Sequence, residues 1–265
     1  MFLTHEQLAP HYRTMTCQSS SSKRLATGEA GAFAAPRNPG ALLASTPVTL
    51  RQQPVYAYIV TTIKTTPPDF QLQQTGSAPN FDGGRITLCT CKHKDRATFH
   101  PSSDPLDPWK NVWVAGLTSK TEDPSRSLAY LMCVERSFLS QMELWSALPS
   151  RCRQAKCASK FDRGDLFEPK AAANKNPYNP AHYHAPAVGG HVHSTHKHPN
   201  NWHRDIRRWG RWSKPHRLLL GQAAHSYQWM NVKMVLKVNA MGVSAHHRMY
   251  DSLKEFVASL QEFDP

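Results

Sequence analysis

The feature that most limits what this chain can fold into is a series of short β-branched and aromatic runs, each closed by Pro, Gly or Asp. VYAYIVTTI (55–63), RITLCTC (85–91), NVWVAGLTS (111–119), LAYLMCVERSF (128–138), RLLLG (217–221) and VKMVLKV (232–238) read as strands. TTPPDFQLQQTGSAPNFDGG (65–84) and PSSDPLDP (101–108) read as loops, because paired prolines and Asp82-Gly83-Gly84 are turn signals. Helical spacing is clearest in two places. FLSQMELWSAL (138–148) has Ser137 or Ser140 as a candidate cap, and RMYDSLKEFVASLQ (248–261) places Met249, Leu253, Phe256, Val257 and Leu260 on one stripe. Strands do not alternate with helices as a doubly wound parallel sheet requires. The expectation is an α+β domain whose strands curl into a small barrel with flanking helices and long irregular loops.

Residues 1–53 hold SSSSK, GEAGAFAAPRNPGA and ASTP and read as a disordered, low-complexity tail. Residues 54–265 then form one domain, with a Pro-, Asn- and His-rich insertion at about 149–200. Apolar residues make up 40% of the 265, enough for a core, so wholesale disorder is excluded. No stretch approaches the ~18 apolar residues of a membrane helix, so no membrane partner is expected. The opening MFLTHEQLAPHYR is not a secretory signal. Six cysteines are too sparse for a disulfide scaffold, which predicts free thiols in a reducing, intracellular compartment: cytoplasm, or nucleus in a eukaryotic cell. Cys89 and Cys91 share a strand face as small core residues. Cys152 and Cys157 stand in RCRQAKCASK, whose basic neighbours favour a lowered thiol pKa, but neither pair has the two-residue gap of zinc knuckles or thioredoxin-like sites, and the structural reading of both pairs prevails.

The charge is uneven. Lys and Arg number 32 against 19 acids, and residues 151–265 hold 18 of the bases but only 8 of the acids. Such an excess favours a polyanionic partner. Its densest part is WHRDIRRWGRWSKPHR (202–217), where Arg204, Arg207, Arg208, Arg211, Lys214 and Arg217 interleave with Trp202, Trp209 and Trp212. Guanidinium groups pair with phosphates and indoles stack on unpaired bases, so the run is a candidate nucleic-acid clamp, with Lys92 and Lys94 as outlying members. The alternative makes Trp202, Ile206 and Trp209 the buried side of a short helix with solvated arginines.

His182, His184, His191, His193, His196 and His198 lie within seventeen residues. On an extended chain His191 and His193 point the same way, and His184 and His196 are placed to complete a tetrahedral zinc site. Between residues 169 and 204 there is no carboxylate to act as a base, and the alternative is a His-rich loop without a specific metal. Phosphate-binding loops, GxGxxG, GxSxG and HExxH are missing, and grouped acids for a two-metal nuclease are missing too. Those absences argue against an enzyme and against a required cofactor.

VYAYIVTT, GGRITLCTCKHKDR, WVAGLTSK, LAYLMCVERSFLSQMELW and PHRLLLGQAAHSYQW occur in that order. The series resembles the nucleotide modification associated domain family of the second type, discontinuously over about 55–230. CTCKHKDR aligns with the family's TCKP segment, with His93 in place of the proline. The resemblance implies a small PUA-like β-barrel related to EVE and YTH modules, and recognition of a modified base in a DNA modification or restriction context. It also implies partner proteins of such a system. A flipped base needs π-faces and a few edge-reading hydrogen bonds. Trp109, Trp113, Tyr227 and Trp229 are the candidate pocket walls. The leading expectation is therefore a nucleic-acid-binding module, DNA before RNA; the competing one is a metal-assisted or base-modifying enzyme acting on nucleotides or nucleic acid.

Overall fold

The computed structural model describes residues 23–24, 35–66, 68–74, 78–119, 126–158, 165–185, 202–207, 216–237 and 246–264. Its strands are β1 (Lys23–Arg24), β2 (Val55–Val60), β3 (Ile63–Thr66), β4 (Gln71–Gln74), β5 (Thr87–Leu88), β6 (Trp113–Thr118), β7 (Leu128–Phe138), β8 (Leu218–Gln228), β9 (Met234–Leu236), β10 (His247–Tyr250) and β11 (Leu260–Glu262). Its helices are α1 (Pro39–Ala44), α2 (Val48–Arg51), α3 (His93–Thr98), α4 (Gln141–Ala147), α5 (Ser150–Ala158), α6 (His203–Arg207) and α7 (Leu253–Ala258). None is long and apolar enough to cross a membrane.

The centre is a curled six-stranded mixed sheet in the order β10-β2-β6-β7-β8-β5, half of a barrel. β2 and β6 run parallel and every other neighbour is antiparallel. All six residues of β2 and of β6 are buried, as expected where both faces of a sheet are covered. Register shifts at Gly116/Leu117 and twice between Met132 and Arg136 mark bulges, which bend strands and curl a sheet. The pleat sorts the core. Tyr56, Tyr58, Val114, Gly116, Tyr130 and Met132 face one side, while Val55, Ala57, Trp113, Ala115, Leu131 and Tyr227 face the other.

Gly116 is required by that first side. A Cβ there would collide with Cε1 of Tyr130, whose ring lies across the glycine and delivers its hydroxyl to Tyr58, 2.7 Å away. Two helices start with matching devices. Ser140 and Ser252 accept from the amides of Glu143 and Glu255, and those glutamates accept from the amides of Leu139 and Asp251.

Several sequence expectations are corrected. Residues 35–53 belong to the folded unit: Asn38 caps α1, Pro39 opens it, and Leu42 is fully buried in the main core. The terminal helix is shorter than 248–261. Ser252 starts it, Met249 and Tyr250 pair with β2 instead, and Leu260 belongs to β11. The loop 65–84 contains β4 and the end of β3, and the turn after Cys91 is a helix. Within 149–200, α5 packs on the 82–84 turn, where a Cβ on Gly83 would meet Cys152 Cα at 2.8 Å. Further along, Phe167, Ala173 and Tyr183 form a satellite core with Trp202 and Ile206.

Candidate nucleic-acid interface

α3 is held by its one buried guanidinium. Arg96 donates from Nε to the Cys91 carbonyl (2.8 Å), from Nη2 to the Cys89 carbonyl (2.6 Å) and from Nη1 to the Arg217 carbonyl. The Arg96 carbonyl in turn accepts the Arg217 amide at 3.2 Å. This exchange ties α3 to the residues entering β8. A second tie runs to α6, where Asp205, almost fully buried, meets His93 Nε2 at 2.8 Å, and the His93 ring stacks on His216 at 4.2 Å. Trp202, just before α6, and Ile206 within it are buried against Phe167 and the rest of the satellite core.

These ties decide where the predicted basic residues go. Lys92 is half-buried, Lys94 and Arg207 are exposed and Arg217 is half-buried, so 92–96 meets 205–207 and 216–217, remote in sequence, at one junction. Arg204 lies in α6. Arg208, Arg211 and Lys214, with Trp209 and Trp212, fall outside the described residues. The buried-face reading of Trp202 and Ile206 and the exposure of Arg207 hold together, since a short helix has both sides.

Beside the junction lies a polar group that the sequence does not announce. Tyr56 donates to Asp95 Oδ2 at 2.5 Å, and His247 Nδ1 lies 3.5 Å from the same oxygen while its ring stacks on Tyr56 at 5.7 Å. Phe99 meets Tyr56 and His247 edge-on, and the Lys92 ammonium lies 5.6 Å from the Tyr58 ring centre. Burial, then the Asp95 hydrogen bond, pushes the Tyr56 hydroxyl far above its ordinary pKa, so it stays a donor. Asp95 is the lone acid of KHKDR, and that isolation is the one signal the sequence offers. Nothing in the spacing points to a histidine 152 residues further along.

Deeper still, Asp165 accepts from Thr87 Oγ1 (2.8 Å) and the amides of Cys89 (2.8 Å) and Thr90 (3.3 Å). Lys156 donates to Asn80 Oδ1 (3.0 Å) and to the Asn80 and Arg85 carbonyls. Burial raises the Asp165 carboxyl to about 6. Asp165 fastens the residues from β5 towards α3 and Lys156 those just before β5, and neither reaches solvent.

The four expected pocket aromatics do not form a pocket. Trp109 and Trp113 are fully buried, Tyr227 and Trp229 nearly so. Trp109 packs edge-on against Tyr56 (5.6 Å), whereas Trp113 stacks on Tyr227 (6.5 Å) on the opposite side of the sheet. The indole N–H groups of Trp113 and Trp229 are taken by the carbonyls of Leu50 (2.8 Å) and Pro36 (2.9 Å). Alternation assigns a side chain to a face, but here both faces are covered. The metal expectation fares differently. His184 is exposed, while His191, His193 and His196 lie outside the described residues. Among the described residues no three His, Cys, Asp or Glu side chains are grouped to hold a metal. Burial raises the Cys152 thiol pKa, opposite to the depression expected from its basic neighbours, and pushes Cys91 up to about 12. Comparison with protein-family models, with curated proteins and with solved structures finds no match for this chain.

Proposed function

We propose that this chain binds nucleic acid, with a phosphate backbone crossing the junction of α3, α6 and the start of β8. One observation carries the reading: the His93–Asp205 and Arg96–Arg217 contacts gather Lys92, Lys94, Arg207 and Arg217 from two distant segments. Gathered cations raise the local potential and release counterions from a polyanion, which scattered cations do poorly. The likeness to the nucleotide modification associated domain family points the same way, and that likeness is the sole support for recognition of a modified base.

Charge reversal tests the clamp. Arg207→Glu is expected to weaken binding of duplex or single-stranded oligonucleotides irrespective of sequence, and to reduce the slope of log affinity against log salt by about one. Fluorescence anisotropy over a salt series reads both, and an unchanged slope removes Arg207 from the contact.

Asp205→Ala separates placement from charge. It makes the junction more positive by taking away an acid, but it also removes the partner of His93. A patch acting through net charge alone would then bind more tightly. Loss of the tie predicts weaker binding, by roughly threefold or more, with faster hydrogen exchange across 203–207.

A further inference from the structure

One corner of the junction is built more closely than a backbone-tracking surface requires. Lys92 has left-handed backbone angles (φ 55°, ψ 43°), which side-chain-bearing residues seldom adopt and which cluster at functional sites. Its half-buried ammonium donates to the His246 carbonyl at 3.4 Å and makes no carboxylate ion pair among the described residues. The next residue of the chain, His247 in β10, stands beside it with about a third of its side chain exposed. Tyr56 and Tyr58, both buried, are the floor under the two groups. Burial lowers the Lys92 pKa, so its charge is held there at a cost that an anion would offset. The nearby acid is partly spent, because Asp95 Oδ2 already accepts from Tyr56.

We propose that Lys92 and His247 form a subsite for the phosphate monoester at the end of a nucleic-acid strand, a refinement that rests on the nucleic-acid reading above. Lys92 has two N–H groups left beyond the one given to the His246 carbonyl. His247 Nδ1 lies 3.5 Å from Asp95 Oδ2, and the part-exposed ring adds a polar group beside the ammonium. A phosphate monoester brings three free oxygens and close to two negative charges, which suits an ammonium without a carboxylate partner and a neighbouring imidazole over the two tyrosine rings. A bridging phosphodiester brings one charge and two free oxygens, and its strand must leave on both sides.

The test uses the full chain and oligonucleotides of one sequence carrying a 5′-phosphate, a 3′-phosphate or hydroxyls at both ends. Anisotropy is expected to show one phosphorylated form bound about tenfold more tightly than the hydroxyl-ended strand. Lys92→Met and His247→Gln, each checked for native circular dichroism, are expected to abolish that difference. Inorganic phosphate is expected to compete with the preferred strand alone. Equal affinity of the wild-type chain for all three strands overturns the subsite and leaves the backbone clamp standing. No binding of any strand overturns both. A preference that survives in both variants places the end elsewhere and overturns the assignment as well.

Discussion

Arg96→Met is expected to destabilise the chain by about 3–5 kcal/mol, a large share of the roughly 5–15 kcal/mol that holds a domain together. The guanidinium is fully buried and serves three carbonyls, those of Cys89, Cys91 and Arg217. Methionine keeps the aliphatic volume but leaves those acceptors without donors in a site water does not reach, and each orphaned group costs about 1–3 kcal/mol. Urea denaturation followed by tryptophan fluorescence measures the loss. A change below about 1 kcal/mol would mean that the carbonyls find other donors and that α3 does not depend on Arg96.

The second large effect is a pH dependence that belongs to Asp165. Its carboxyl is raised from 3.8 to about 6, first by burial, against the opposing pull of the Cys89 amide, Thr87, Lys156 and Arg96. Because the folded value lies above the unfolded one, the native state binds the proton more tightly between the two. The group's contribution is therefore largest below about pH 4 and is lost as pH rises through about 6, with no further change beyond. A difference of this size corresponds to roughly 3 kcal/mol. Asp165→Asn removes the titration, so stability measured at several pH values should diverge from wild type across that window only. Parallel curves would show that hydrogen bonds, not burial, set the charge state of this carboxyl.

Much of the strand framework is legible in local sequence. LAYLMCVERSF is β7 residue for residue, and Ser140 caps α4 because a serine followed three residues later by glutamate is a local signal. The α+β class follows from such local chemistry. What stays hidden depends on partners distant in sequence. Asn38-Pro39 announces a helix start, yet α1 and α2 are too short to show a period, and the Ala-Gly-Pro composition of α1 is that of a linker. The helical stripe from Met249 to Leu260 is compatible with strand–helix–strand because its ends pair with β2 and β9, which no window of fifteen residues contains.

The candidate site divides along the same line. Clustered cations advertise themselves by density, so Lys92, Lys94, Arg207 and Arg217 stand out in the sequence. The ionisable groups that place them, Arg96, Asp165 and Lys156, look like any other surface charge until the fold buries them. The aromatic pocket fails for the complementary reason. Trp113 and Trp229 qualify as amphipathic rings with a polar end, and that end is satisfied by the carbonyls of Leu50 and Pro36, in a segment whose composition is that of a tail.

Arg96 and the carbonyl it grips at Arg217 stand 121 residues apart along the chain. Closing a span of that length costs entropy before any contact rewards it, and pairings of this kind form late in folding. The basic surface is thus assembled in time as well as in space. A chain still emerging during synthesis, with α3 made and β8 not, carries Lys92 and Lys94 but lacks the other half of the junction. In refolding, the proposed binding of a polyanion should return with the slowest phase, after most of the secondary structure is in place, so that it would report the finished fold and not the collapsed chain.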